Sequence, residues 1–200
     1  MSDFFKTIKS PSEGLYKEKM SKFISFAVPV NSSTEAKDIV KQYQKQYFDA
    51  RHVCWAYMIG ADRKEFLSND NGEPSGTAGK PILGQINSFE LTNIVIIVVR
   101  YFGGIKLGTS GLIVAYKEAA ADALNNAEII ECHEQSEISF SFPYLSMNDV
   151  MKVIKGDSIN VLAQAFDNDC TMKVSINADD GPKFIAKISD IDGVKVVEPE

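Results

Sequence analysis

Cysteine is scarce in this sequence. Cys54, Cys132 and Cys170 are an odd and scattered set, which argues against a disulfide framework and a close-spaced zinc pattern. Long apolar runs are missing as well. The longest purely aliphatic one, Ile94 to Val99, is six residues, against roughly twenty for a membrane-spanning helix. The opening residues, MSDFFKTIKS, hold no apolar segment ending in small residues, so no secretory signal is expected. These absences point to a cytoplasmic protein in a reducing compartment, with no membrane association. A positive excess is also lacking, since the formal net charge is −6. Residues 1–134 carry 15 Lys/Arg against 16 Asp/Glu, whereas residues 135–200 carry 6 against 11. General coating of a polyanion is not expected, and any nucleic-acid contact must come from a local patch.

What is present is a globular composition, 44% hydrophobic and 24% charged over 200 residues, enough for one large domain or two small ones. Ser21 to Val30 reads as a strand. Ser32 and Glu35 fit a capping box. Ala36, Ile39, Val40, Tyr43 and Tyr47 follow at helical spacing, which predicts a helix over Thr34 to Phe48. Val53 to Gly60 is a second strand, and Glu65 to Ser68 a third closed by the turn signal Asn71-Gly72. Thr77 to Phe89 reads as a short helix with Pro81 in its first turn. Asn93 to Phe102 is a strand buried on both faces, because its Ile/Val run leaves no polar side. Ser110 to Ala127 is an alanine-rich helix suited to close packing on a sheet.

A second pattern starts near Glu137. Ile138, Phe140 and Phe142 alternate with serines. Ser146 and Asp149 open a helix through Val150, Val153 and Ile154. Ile159–Phe166 and Thr171–Asn177 read as a hairpin around Asp167-Asn168-Asp169. Gly181-Pro182 opens another helix ended by Gly193, and Val194–Val197 is a last strand. The order βαββαβ is that of a ferredoxin-like sandwich. The polar stretch Glu131 to Ser136 separates the two patterns, which sets the expected domains at 1–133 and 134–200.

Glycine is concentrated where chemistry is expected. Eight of the 13 glycines lie between 72 and 111, most of them in two loops that each run from a strand into a helix start. One holds Glu73, Ser75, Gly76, Thr77 and Lys80. The other holds Arg100, Tyr101, Gly103, Gly104, Lys106, Gly108 and Thr109. Free N–H groups at helix starts, with Arg100 and Lys106, make an anion site, and Tyr101 offers a ring for base stacking. Tight turns around a buried aromatic pair would explain the same residues without a ligand. Arg51 and His52 add exposed polar groups at a helix-to-strand junction. The Walker, dinucleotide and nucleophile-elbow patterns all fail on inspection. Cys54 beside His52 reads as a buried structural thiol rather than a nucleophile. No catalytic residue, metal ligand or cofactor is assigned.

Three stretches in order carry a family resemblance: Asp49 to Trp55, Gly72 to Gly79, and Arg100 to Gly108. Together they resemble the YigZ/IMPACT family, whose signature is the last, glycine-rich run. The resemblance implies an α+β protein: a ribosomal-protein-S5-domain-2-like α/β domain, then a small ferredoxin-like domain similar to the C-terminal domain of elongation factor G. With no long segment before Ser21, the bacterial two-domain type is expected. Ser110 and Val114 depart from the usual pattern, and Val114 removes a charge from the patch. Eukaryotic members are similar to inhibitors of a starvation-response kinase, acting through protein partners. The expected function is a non-enzymatic, translation-linked binding protein contacting RNA or the ribosome through Arg51, His52, Arg100, Lys106 and the glycine loops. A protein-interaction regulator in stress control is the alternative. An enzyme acting on a phosphorylated small molecule, with Glu73 and Lys80 or Lys106 at its phosphate, is the third reading.

Overall fold

The computed structural model describes residues 4–155, 159–166 and 170–197. Its backbone groups into two compact units, one of Phe5–Cys132 and one that takes Phe4 together with the residues from His133 onward. The expected turn at Asp167-Asn168-Asp169 lies outside the described residues.

The first unit runs β1 (Phe4–Ile8), β2 (Ser12–Glu18), β3 (Ser21–Pro29), α1 (Ser33–Gln46), β4 (His52–Ile59), β5 (Glu65–Asn69), α2 (Gly79–Ser88), β6 (Ile94–Tyr101), α3 (Gly108–Asn125) and β7 (Ile129–His133). Five strands form one sheet in the order β2-β3-β6-β4-β5, and β1 pairs with β7 in a separate two-stranded sheet. The pairs within the large sheet are antiparallel. β6 sits at its centre because both its faces are apolar. Ile94, Ile96 and Val98 pack with buried residues of α2 and α3, such as Ile82, Ile86, Ala119 and Ala123. Val95, Ile97 and Val99 pack with Ala36 and Val40 of α1. The covering helices, not parallel pairing, account for the run without a polar face.

Helix α1 starts as its sequence directs. Ser32 Oγ accepts the Glu35 N–H at 3.2 Å. The Glu35 carboxylate accepts the Asn31 N–H at 2.7 Å, one residue before the cap. Three strands escape the sequence pattern. β1 and β2 precede the first expected strand, and β2 (SEGLYKE) is an edge strand whose one fully buried residue is Gly14. An edge strand with polar residues on both faces shows no clear alternation. β7 takes Cys132 and His133 out of the expected polar connection.

Small residues let α3 lie directly on the sheet. Ala115, Ala119, Ala120 and Ala123 are fully buried. Ser25 Oγ donates to the Ala119 carbonyl at 2.6 Å. A Cβ at Gly14 would overlap the Ala123 backbone nitrogen and the Ser25 hydroxyl.

The second unit runs β8 (Gln135–Phe142), α4 (Met147–Ile154), β9 (Ile159–Phe166), β10 (Cys170–Asn177), α5 (Gly181–Ser189) and β11 (Lys195–Val197). Its sheet order β11-β8-β10-β9, with antiparallel neighbours, is the ferredoxin-like arrangement. One face is buried: Ile138, Phe140, Phe142, Met172 and Val174 pack with Val150 and Ile154 of α4 and Phe184 and Ile188 of α5. The protein is therefore of the α+β class.

Gly14→Ala is expected to lower stability by about 1–3 kcal/mol, because backbone cannot yield to the added methyl as a side-chain tip can. Urea denaturation followed by circular dichroism measures this. A loss within experimental error would show that β2 and α3 can separate freely.

Candidate functional site

The pairing register builds the site. His52 lies opposite Arg100 across β4 and β6, and Phe23 lies opposite Arg100 on the other side. The Arg51 N–H donates to the Arg100 carbonyl at 3.1 Å. Residues distant in sequence thus meet at one end of the sheet, on the face covered by α2 and α3.

The centre of this end is an ion pair with almost no water. Arg100 Nη1 donates to Glu73 Oε1 at 2.6 Å, with 7% and 3% of the two side chains exposed. Tyr116 of α3 donates its hydroxyl to the same oxygen at 2.9 Å. The Arg100 guanidinium also lies 5.5 Å from the Phe23 ring centre and 5.7 Å from that of Phe102, within cation–π range. His52 donates from Nδ1 to the Asn71 carbonyl at 2.8 Å, since a carbonyl only accepts. That bond leaves Nε2 3.8 Å from Glu73 Oε2. Arg100 Nε is buried with no hydrogen-bond partner among the described residues.

Above this network is a cavity of about 460 Å³. Arg51, His52, Glu73, Arg100, Lys106, Gly108 and Thr109 line it. Pro74, Phe102, Leu107 and Leu112 are its apolar wall. The 18-residue helix α3 begins here, and its cap residue, Leu107, offers no side-chain acceptor. Its first-turn N–H groups and dipole therefore border the cavity, and among the described residues no side chain caps them. Among the described residues, Arg51 and Lys106 have no salt-bridge partner.

The other glycine loop departs from expectation. The start of α2 was expected to present free N–H groups, but the Asp70 carboxylate takes them. It accepts N–H groups from Gly76 at 2.8 Å, Ala78 at 3.0 Å and Gly79 at 2.8 Å. Burial raises the Asp70 pKa, yet these bonds and the nearby Lys80 charge hold it below the usual value. Ser75 and Lys80 are exposed away from the cavity, and Thr77 turns its hydroxyl to the Pro74 carbonyl at 2.6 Å. Ser75, Gly76, Thr77 and Lys80 therefore do not line it.

Tyr101 is also elsewhere. It follows Arg100, so it points to the opposite sheet face, where its hydroxyl donates to Asp49 at 3.0 Å. The aromatic ring at the cavity is Phe102. Gly103 is needed for close approach, because a Cβ there would overlap the Met20 and Ser21 backbone. Neither Gly103 nor Gly104 lines the cavity. Sequence reasoning missed Tyr116 beneath the site and the wall residues Pro74, Leu107 and Leu112. The helical phase of Leu112 and Tyr116, four residues apart, was the available signal.

Cys54 lies under the site as a structural group. Its thiol donates to the Asp70 carbonyl at 3.0 Å and lies 3.3 Å from the Tyr116 oxygen. Burial pushes its pKa up to about 12, so it is not a thiolate near neutral pH. Burial likewise raises the Tyr116 pKa, helped by the neighbouring Cys54 and Glu73.

Two predictions follow from this packing. Glu73→Ala leaves the Arg100 charge buried and unpaired, with an expected stability loss of about 3–5 kcal/mol by urea denaturation. An effect no larger than that of a surface substitution would refute the central role of the pair. The protonated Cys54 thiol contributes stability that is complete below its unfolded value, 9.0, and lost as pH rises toward about 12. The melting temperature should therefore fall more steeply between about pH 8.5 and 10.5 in the natural protein than in Cys54→Ala. Equal slopes would remove Cys54 as a cause.

Comparison with known proteins places this chain. Residues 19–124 match the model of the Impact N-terminal domain. The IMPACT family member YigZ of Escherichia coli is 33% identical over 177 residues, covering 86% of this chain and 85% of that protein. The IMPACT family member YvyE of Bacillus subtilis is 39% identical over 125 residues, 62% of this chain but only 58% of that protein's length. The crystal structure of a hypothetical protein superposes with a TM-score of 0.78 at 27% identity, covering 100% of this chain and 99% of its own. With the domain match over more than half its length and the YigZ likeness over most of it, the chain belongs to the IMPACT family.

Proposed function

We propose that this chain is a non-enzymatic, translation-linked binding protein that contacts RNA, including ribosomal RNA, through the cavity at the start of α3. The observation that carries the reading is convergence. Arg51, His52, Arg100 and Lys106 meet the uncapped N-terminus of an 18-residue helix around one concave space. Cationic side chains and helix N–H groups together favour phosphate oxygens. The buried, neutral Cys54 supports a binding rather than a nucleophilic role. The first unit is near electrical neutrality in sequence, so the contact is local rather than spread over its surface.

A second reading has its own support. Phe102, Ile105 and Val114, in the loop before α3 and on α3, are about half exposed. Exposed apolar groups beside a charged cavity suit a protein partner, as the resemblance to the kinase-pathway inhibitors implies.

The test is sedimentation with ribosomes of the host at about 50 and about 200 mM salt. The structure selects Arg51→Ala/Lys106→Ala as the variant, because both residues are exposed while Arg100 holds the fold. The expected result is binding that falls with salt and is lost in the double variant. Salt-insensitive binding, or binding unchanged by the variant, would overturn the RNA reading. One stoichiometric protein partner surviving nuclease treatment would favour the second.

A further inference from the structure

The shape and charge of the cavity say which phosphate it suits. We infer that it receives a single nucleotide bearing a terminal phosphate monoester, rather than the continuous diester backbone of RNA. This inference rests on the RNA-contact reading and narrows its ligand.

Charge is the first argument. Three permanent cations line the cavity, Arg51, Arg100 and Lys106, against one carboxylate, Glu73. The sum over these four side chains is two positive charges. A phosphate monoester carries about −1.5 to −2 near pH 7, whereas each diester link carries one negative charge. The site thus matches the charge of a chain end or a free mononucleotide.

Size is the second. The volume of about 460 Å³ is that of a small-molecule pocket. Here Phe102 and Pro74 stand beside the cationic side chains. Half of the Phe102 surface is exposed, so its ring can accept a base by stacking.

The third argument is a guanidinium held in place. Arg100 is more than nine-tenths buried and lines the cavity. Glu73 occupies Nη1 of the same fork, so the guanidinium is oriented before a ligand arrives. A monoester on the α3 N-terminus would take first-turn N–H groups and the Thr109 hydroxyl, with Arg100, Arg51 and Lys106 around it. Glu73 is a positioning residue in this scheme.

The test uses the full chain and fluorescence anisotropy with short single-stranded RNAs of one sequence. One carries a 5′-phosphate, one a 3′-phosphate and one hydroxyls at both ends. Adenosine monophosphate and inorganic phosphate serve as competitors. The expected result is binding about tenfold or more tighter for a phosphorylated end, with that advantage absent in Thr109→Val/Lys106→Ala. Competition by adenosine monophosphate at concentrations where inorganic phosphate is ineffective would support a nucleotide pocket. If the free mononucleotide binds more tightly than either phosphorylated oligomer, the source is a small molecule rather than an RNA end. Equal binding of all three RNAs would overturn the monoester inference and leave the broader RNA reading intact. No binding of any RNA or competitor would overturn both.

Discussion

The Glu73–Arg100 pair governs this site. Neither charge could be buried alone, because the loss of hydration would far exceed any packing gain. Buried together at 2.6 Å, with the Tyr116 hydroxyl on the same carboxylate oxygen, they join three parts of the chain: the loop after β5, the end of β6 and the middle of α3. Each part has its own reason for its general course. Their relative placement at the cavity depends on this shared oxygen. The pair also consumes the one carboxylate lining the cavity, so the remaining side chains there present positive charge to a ligand.

Two helix starts of the first unit are treated differently, and the difference makes the site. At α2 the anion is internal: Asp70 accepts three backbone N–H groups and knits its loop shut. At α3, among the described residues, no side chain takes that role, and the cavity opens there. Similar glycine-rich composition therefore serves two ends. One loop is a structural clasp that also supports Cys54 through the Asp70 carbonyl. The other borders the candidate binding surface. A short acidic side chain in the right place decides between them.

Much of the fold was legible in local pattern. The cap at Ser32, the helical spacing through Tyr47, the uninterrupted Ile94–Val99 run and the alternation in Ile138, Phe140 and Phe142 each specify an element, because burial and capping act within a few residues. The βαββαβ order of the second unit followed from the same signals. Strands β1, β2 and β7 were not legible. An edge or short strand takes its identity from the partner it pairs with, and its own sequence carries little periodicity.

The candidate site divides along the same line. Residue chemistry alone singled out Arg51, His52, Glu73, Arg100, Lys106, Gly108 and Thr109, since cations, carboxylates and helix-start glycines announce themselves by type. Chemistry could not say that Tyr101 turns to the far face while Phe102 borders the cavity, a matter of strand parity and of where β6 ends. Nor could it say that Asp70 fills the start of α2, which depends on how the loop folds back on itself. Local pattern sets what each segment can become, because the forces involved are short-ranged. Pairing register and loop closure decide which side chains share one space, because those are long-range contacts fixed only when the sheet and its helices pack.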